Sequence, residues 1–269
     1  MLKRLLGHPL TRGCDIDDPQ TTLLRREIIR DKGFLRQLYA EWYARIAAEL
    51  PPPSVGPALE IGAGAGFMKD FVPGLVVSEV FLLPGIDVVL SGVRLPLRSG
   101  ALRGIAMTEV LHHIPDAEAF LDEAARCVRP GGTLVMLEPW VSRWSRWVYA
   151  KLHHEPFMPQ AAEWRLPRAG PLSGANGALP WMIFERDRAR FCARFPAWKI
   201  RAIEPMMPFS YLLSGGVGWR SFAPALAYRP WRLLEACMRP WVGSWAMFAL
   251  IVLERTDMPA TPATCANQG

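Results

Sequence analysis

A glycine-rich turn between two apolar segments is the part of this sequence best suited to bind a ligand. An apolar run at 58–61 contains the acid Glu60, and Gly62, Gly64 and Gly66 follow at alternate positions. Glycines permit positive φ and let a ligand approach the backbone without meeting a Cβ atom. A helix that starts after the turn would add free N–H groups at its first turn. The pattern therefore predicts a strand, a tight turn and a helix start that together hold a small polar ligand.

The spacing of the glycines separates several nucleotide-binding motifs. A phosphate-binding P-loop is excluded because no Gly-Lys-Ser/Thr follows. The dinucleotide fingerprint is disfavoured because Phe67 stands where its third glycine belongs. The acid-x-G-x-G-x-G spacing instead resembles motif I of the class I S-adenosylmethionine-dependent methyltransferases, in which the loop wraps the methionine and ribose part of the cofactor. A bare tight turn of an α/β protein is the alternative.

Two later segments strengthen this resemblance. Residues 110–116 read Val-Leu-His-His-Ile-Pro-Asp, and residues 128–134 read Val-Arg-Pro-Gly-Gly-Thr-Leu. Both resemble later motifs of the small-molecule "type 11" methyltransferases, in the same order and at a matching distance from the glycine turn. The resemblance covers about residues 56–140.

The resemblance implies S-adenosylmethionine as the cofactor and a set of residues that hold it. Glu79 ends the next predicted strand, and its two acceptor oxygens match the two vicinal hydroxyl donors of a ribose. Ser91 stands where the family usually carries an Asp that meets the adenine amino group, so the sequence departs from the family there. The predicted cofactor-binding residues are Glu60, Gly62, Ala63, Gly64, Gly66, Glu79, Ser91, Gly92, Thr108 and His112.

Short apolar runs that alternate with helical patterns predict an α/β fold with right-handed crossovers. The resemblance implies a Rossmann-like sheet, mostly parallel with the last strand antiparallel, with helices on both faces and a cap inserted after strand 5. The predicted strands are 58–61, 75–80, 86–90, 104–110, 133–139, 198–203 and 246–253, with a short helix at 66–71. The predicted divisions are an N-terminal helical segment (1–50), the cofactor-binding core (51–140), a substrate cap (141–197), late strands with an inserted apolar helix or loop (198–255) and a disordered tail (256–269).

A base is needed if the methyl acceptor is an O–H or N–H group. His154 and Glu155 lie in the predicted cap and are the candidate catalytic residues; a capping or salt-bridge role is the alternative. His112 and His113 follow the fourth strand, and a structural or cofactor-side role is favoured for them. No metal site is predicted, because the run 153–155 (His-His-Glu) lacks a second ligand group in a recognisable frame.

Aromatic residues concentrate in the later part of the chain, and most of the 11 tryptophans follow Pro139. They indicate an apolar pocket for a lipophilic acceptor. Interleaved with arginines, they also suit peripheral contact with a membrane surface. An ordinary packed cap core explains any single tryptophan equally well.

The overall composition is that of a folded domain, with 51% hydrophobic residues and a net charge of +6. No dense basic run and no Asn-Pro-Pro-Tyr-like tetrapeptide point to nucleic acid as a partner. The five cysteines are scattered, without a C-x-x-C pair, which predicts reduced thiols, no zinc and a cytoplasmic protein, peripheral at most to the inner face of the membrane.

These patterns together favour a methyltransferase that acts on a small, lipophilic acceptor by in-line transfer. The alternative from another class is a catalytically silent, cofactor-binding subunit or regulator with the same fold. A nicotinamide oxidoreductase is disfavoured by Glu60 and Phe67.

Overall fold

A computed structural model describes residues 7–11, 13–153, 155–167 and 169–257. Seven strands form one sheet: β1 (Ala58–Glu60), β2 (Leu75–Glu79), β3 (Val88–Val89), β4 (Leu102–Thr108), β5 (Val128–Pro139), β6 (Trp198–Met206) and β7 (Phe248–Arg255). The α-helices are α1 (Pro19–Asp31), α2 (Gly33–Glu49), α3 (Ala117–Cys127), α4 (Arg143–Leu152), α5 (Leu179–Trp181), α6 (Arg188–Arg194), α7 (Ser210–Ser214), α8 (Tyr228–Cys237) and α9 (Val242–Trp245).

The strand order is β3-β2-β1-β4-β5-β7-β6. Strands β1 to β5 pair in parallel, and β7 runs antiparallel to both β5 and β6. The predicted mostly parallel sheet with an antiparallel last strand is confirmed. The parallel half brings the carboxyl ends of β1, β2 and β4 to one edge of the sheet.

Helices cover both faces of the sheet, as predicted. Ile105 of β4 packs in the same buried cluster as Phe120 of α3. The next residue, Ala106, belongs to the cluster on the other face, with Trp42 and Ile46 of α2. This alternation follows from the two-residue period of a strand, which sends neighbouring side chains to opposite faces.

The predicted N-terminal helical segment contains two helices, α1 and α2, with a break at Lys32. Asp18 caps α1 by accepting a hydrogen bond from the backbone of Gln20 at 2.8 Å. A Cβ atom at Gly33 would lie 2.8 Å from the Cβ of Ala225, so this glycine also permits close packing of the later chain on α2.

The helix predicted at 66–71 is absent; only a single 3₁₀ turn, Met68–Asp70, occupies this segment. Phe67 and Phe71 both pack on Tyr43, with ring centroids 5.0 and 5.8 Å away. Gly74, at φ 69°, then turns the chain into β2. Aromatic packing and an early turn therefore replace the helix, and the predicted helix N-terminus contributes nothing to ligand binding.

Cys14, Cys127 and Cys237 are free thiols. Cys192 is disulfide-bonded, so the expectation of reduced thiols is wrong for that residue. Within the described part of the chain, none of the helices combines the length and apolarity needed to cross a bilayer.

Candidate functional site: two joined cavities at the sheet edge

A cavity of about 310 Å³ opens where the parallel strands end. The last residues of β1, β2 and β4, which are Glu60, Glu79 and Thr108, all line it. Ligands of open α/β sheets bind at this edge. We call it the sheet-edge cavity; all ten predicted cofactor-binding residues face it: Glu60, Gly62, Ala63, Gly64, Gly66, Glu79, Ser91, Gly92, Thr108 and His112.

Glu60 is the least compensated charge at this cavity. Its side chain is 3% exposed, and it makes no hydrogen bond or ion pair with the described residues. Burial, with a smaller effect of the nearby Glu79, raises the pKa of Glu60 to about 8. A buried carboxyl group without a partner is costly, so Glu60 is prepared to meet a hydrogen-bond donor or a cation.

Glu79 is tied to the glycine turn. Its Oε2 accepts a hydrogen bond from the backbone of Gly64 at 2.9 Å, and its Oε1 accepts one from Val80 at 2.7 Å. Burial nevertheless raises the pKa of Glu79. Each oxygen keeps a further lone pair, so the carboxyl group can still receive donors from the cavity.

Gly62 and Gly64 of the turn take positive φ, and packing leaves no room for a side chain at Gly62 or Gly66. A Cβ atom at Gly62 would lie 2.6 Å from the side chain of Val110, and one at Gly66 would lie 2.3 Å from the hydroxyl of Tyr43. The N–H of Gly66 is already bonded to the carbonyl of Ala63 at 2.8 Å. The turn therefore shapes the wall of the cavity more than it supplies free N–H donors.

A buried histidine network forms the opposite wall. Glu138 of β5 lies 2.7 Å from Nδ1 of His112, and it also accepts hydrogen bonds from the backbone of Val110 and Leu111. His113 Nδ1 lies 3.2 Å from the carbonyl of Gly174. These contacts fix the orientation of both imidazole rings through Nδ1. They leave the Nε2 atom of each ring available for other contacts.

Glu155 completes this network from the segment after α4. Its Oε2 lies 3.6 Å from Nε2 of His112, and its Oε1 lies 3.9 Å from Nε2 of His113. Burial alone would lower the pKa of His112, but Glu138 and Glu155 raise it to about 10. Burial and the His112 charge lower the pKa of His113 to about 3. Burial would raise the pKa of Glu155, but His112 holds it well below its usual range.

A second cavity, of about 300 Å³, lies against α4 and the segment 211–219; we call it the helix-side cavity. Much of its wall is apolar, formed by Val148, Tyr149, Leu152, Leu212, Trp219 and Met247. Four residues line both cavities, which shows that the two cavities adjoin: Arg25, His153, Tyr211 and Val217.

Residues 76–136 match the family model described as a methyltransferase domain. The matched segment is under a quarter of the chain and is similar to that family. A curated relative, an uncharacterised 37.1 kDa protein in transposon TN4556 of Streptomyces fradiae, is 43% identical over 58 residues, which are 21% of this chain and only 17% of that protein.

Two solved structures share the fold of this chain. Geranyl diphosphate C-methyltransferase from Streptomyces coelicolor is 15% identical, with a TM-score of 0.51 over 86% of this chain and 84% of that one. A chain of the Haloferax volcanii complex with the Trm112 methyltransferase activator is 12% identical, with a TM-score of 0.50 over 90% of this chain and 99% of that one. At these identities the likeness concerns the fold, which is that of the class I methyltransferases.

One residue at the sheet-edge cavity was not singled out from the sequence. Glu109 follows β4 with a φ of 57°, an uncommon conformation for a residue other than glycine. It lines the sheet-edge cavity, and its Oε2 receives a hydrogen bond from the hydroxyl of Tyr39 at 3.4 Å. Burial raises its pKa to about 7. Its place near the end of the predicted strand 104–110 and before the His-His pair was the available signal.

The structure describes only one of the two predicted catalytic residues. Glu155 lies at the sheet-edge cavity, whereas His154 lies outside the described residues. Trp219 lines the helix-side cavity, but Trp164 and Trp198 are 1% and 0% exposed in the core. These two tryptophans after residue 139 are therefore packing residues rather than pocket walls.

Proposed function

We propose that this chain is an S-adenosylmethionine-dependent methyltransferase, with its cofactor in the sheet-edge cavity and a small, largely apolar acceptor in the helix-side cavity. The observation that carries the proposal is Glu60, a buried carboxyl group that faces the sheet-edge cavity without a partner among the described residues. In a methyltransferase domain, an ammonium-bearing cofactor is the ligand that such a group suits.

The residues present fit this cofactor. Glu60 would meet the ammonium group, and the free lone pairs of Glu79 would accept from the ribose hydroxyls. The hydroxyl of Thr108 is buried without a partner among the described residues and is another polar group available to the ligand. When bound, S-adenosylmethionine supplies a methyl group on a sulfonium, ready for in-line displacement.

The chain itself supplies position, exclusion of water and charge. Tyr211 and Val217 face both cavities and would guide an acceptor toward the junction. Glu155 is the candidate catalytic residue: its low pKa keeps it ionised, which suits orienting an acceptor O–H or N–H group. A catalytic role of His154 stays a prediction. The segment 141–197, which contributes His153 and Glu155, would act as the substrate cap.

The acceptor is proposed to be lipophilic because aliphatic and aromatic side chains form much of the helix-side cavity. Arg25 stands at the junction, and its guanidinium makes no hydrogen bond or ion pair with the residues that the structure describes. It would suit an acidic or strongly polar group at one end of the acceptor.

Calorimetry with S-adenosylmethionine and S-adenosylhomocysteine tests the first half of the proposal. Binding of both to the full chain is expected, with NADH inert; no binding at millimolar concentration would refute it. A methyl-transfer assay over acceptors of graded polarity tests the second half. Cofactor binding without turnover of any acceptor would favour the silent subunit or regulator, and methylation of hydrophilic acceptors alone would contradict the lipophilic assignment.

A contact with the membrane surface is also proposed, from exposed apolar side chains after residue 139. Leu233, Trp147 and Trp241 are 71%, 52% and 62% exposed. Trp147 lies on α4, whose buried residue Val148 lines the helix-side cavity, and the neighbouring Arg143 is exposed. Co-sedimentation with anionic vesicles is expected, and it should fall in Trp147→Ser and Trp241→Ser; equal recovery of these variants and the parent would contradict it.

A further inference from the structure

Three side chains with metal-binding atoms converge on the wall of the sheet-edge cavity. His112 and His113 follow β4, and Glu155 follows α4. One ligand atom from each lies within 4.8 Å of the other two, and all three residues face the cavity. The tertiary structure thus joins two segments that are far apart in the sequence.

The histidines are oriented as metal ligands are. A metal-bound histidine almost always gives its second nitrogen to a carboxylate or a backbone carbonyl. Here Nδ1 of His112 lies 2.7 Å from Glu138, and Nδ1 of His113 lies 3.2 Å from the carbonyl of Gly174. Both Nε2 atoms are left facing Glu155.

Two of the separations between ligand atoms are close to those around a shared cation. The Nε2–carboxylate distances of 3.6 and 3.9 Å are too long for hydrogen bonds. Two ligand atoms held at about 2.1 Å from one ion, at angles of roughly 90–110°, lie about 3.0–3.4 Å apart. Small side-chain rotations would bring both pairs to that spacing.

We propose that His112, His113 and Glu155 bind one divalent cation. Two imidazole nitrogens and one carboxylate favour a first-row transition ion or Zn²⁺ over Mg²⁺ or Ca²⁺, which prefer oxygen ligands. Three protein ligands leave coordination positions open, as in catalytic rather than structural sites.

Binding of the ion does not depend on the proposed function; only the role given to the ion rests on it. The open positions face the cavity near His153, which borders both cavities and whose Nδ1 lies 3.8 Å from Glu155. A cation there would hold an acceptor through a hydroxyl or carbonyl oxygen. The sequence predicted no metal, because only the local run 153–155 was considered and the second ligand group comes from 112–113.

Metal binding is tested directly on the full chain after treatment with a chelator. Titration with Zn²⁺ by calorimetry is expected to show one site per chain, and Co²⁺ should give the visible absorption of a nitrogen- and oxygen-bound ion. His113→Gln and Glu155→Gln should each weaken binding by at least about 100-fold, and Glu138→Gln by about 10- to 100-fold. His8→Gln and Glu185→Gln, away from the cluster, are the matched controls.

Circular dichroism establishes that each variant is folded before it is compared. The inference is overturned if the parent chain binds no Zn²⁺ or Co²⁺ at millimolar concentration, or if His113→Gln and Glu155→Gln bind as the controls do. S-adenosylhomocysteine binding is measured on the same samples without metal. The metal site and the cofactor site can therefore fail separately.

Discussion

Glu138 holds His112 in place, with 2.7 Å between its Oε2 and Nδ1 of the imidazole, while its Oε1 accepts the backbone N–H groups of Val110 and Leu111. One carboxylate from the middle of the sheet thereby sets both the path of the chain after β4 and the ring that faces the cavity. Both side chains are buried, at 0% and 2% exposure. Because the pKa of His112 is raised to about 10, the pair stays ionic across the neutral range.

Glu138→Gln is expected to destabilise the fold, because it leaves the buried His112 without its counter-charge. Removing one partner of a buried ion pair costs about 3–5 kcal/mol. Urea unfolding at pH 7 measures the loss. Glu185→Gln is the control, since Glu185 is exposed and its ion pair with Arg188 is long at 3.4 Å; it should change the free energy of unfolding by less than about 0.5 kcal/mol. Equal stability of the two variants would contradict the role assigned to Glu138.

Glu60→Gln is expected to stabilise the ligand-free chain near neutral pH. The pKa of Glu60 is raised from 4.5 to about 8 by burial. Between these values the unfolded chain loses a proton that the folded chain keeps, so this group lowers stability as the pH rises through that window. The variant does not lose this stability. Each kcal/mol of unfolding free energy that it gains over the parent raises Tm by about 2–4 °C. Thermal unfolding from pH 5 to 9 tests this, and a wider gap in Tm at pH 5 than at pH 8 would contradict it.

The same substitution is expected to weaken binding of S-adenosylmethionine. A hydrogen bond to a charged group contributes about 1.5–3 kcal/mol, so Kd should rise about 10- to 100-fold. Because ammonium binding requires ionised Glu60, the parent chain should release a proton when it binds below pH 8. Calorimetry in buffers of different ionisation enthalpy counts that proton. Unchanged affinity and unchanged proton release in Glu60→Gln would remove Glu60 from the cofactor site.

Gly66→Ala is expected to destabilise the fold because its Cβ would lie 2.3 Å from the hydroxyl of Tyr43. Overpacking of this kind costs about 1–3 kcal/mol. The double variant with Tyr43→Phe removes the clashing oxygen and should recover part of the loss. Chemical denaturation of the four proteins completes a double-mutant cycle, and additive effects would show that the two sites do not clash.

Lys32→Met is expected to weaken binding of the acceptor more than binding of the cofactor. Nζ of Lys32 donates hydrogen bonds to the carbonyls of Gly216 and Trp219, at 2.6 and 2.9 Å, and these residues line the helix-side cavity. Without these two hydrogen bonds, Lys32 no longer anchors that wall of the cavity. The acceptor KM should rise several-fold while Kd for S-adenosylhomocysteine stays unchanged; an equal loss in both would place the effect in general stability.

The sheet was predictable because each parallel strand is a short apolar run followed by a turn, and such runs carry their own signal. Seven strands were expected in order, and the resemblance to the class I methyltransferases implied that the last one runs antiparallel. The helix at 66–71 was not, since its formation was decided by aromatic contacts of Phe67 and Phe71 with a distant helix. Local patterns contain no information about such partners.

By itself the sequence determined the glycine turn, the acids that end β1 and β2, and the residues that gather at the sheet edge, because in a parallel sheet the strand ends must meet. Only the tertiary structure decided that Glu155 meets His112 and His113, that Glu109 faces the same cavity, and that a second cavity joins the first at Arg25. Those contacts connect segments that are far apart in the sequence. They form because α4 and the loops pack on the sheet. Their distances depend on the whole core rather than on any local spacing.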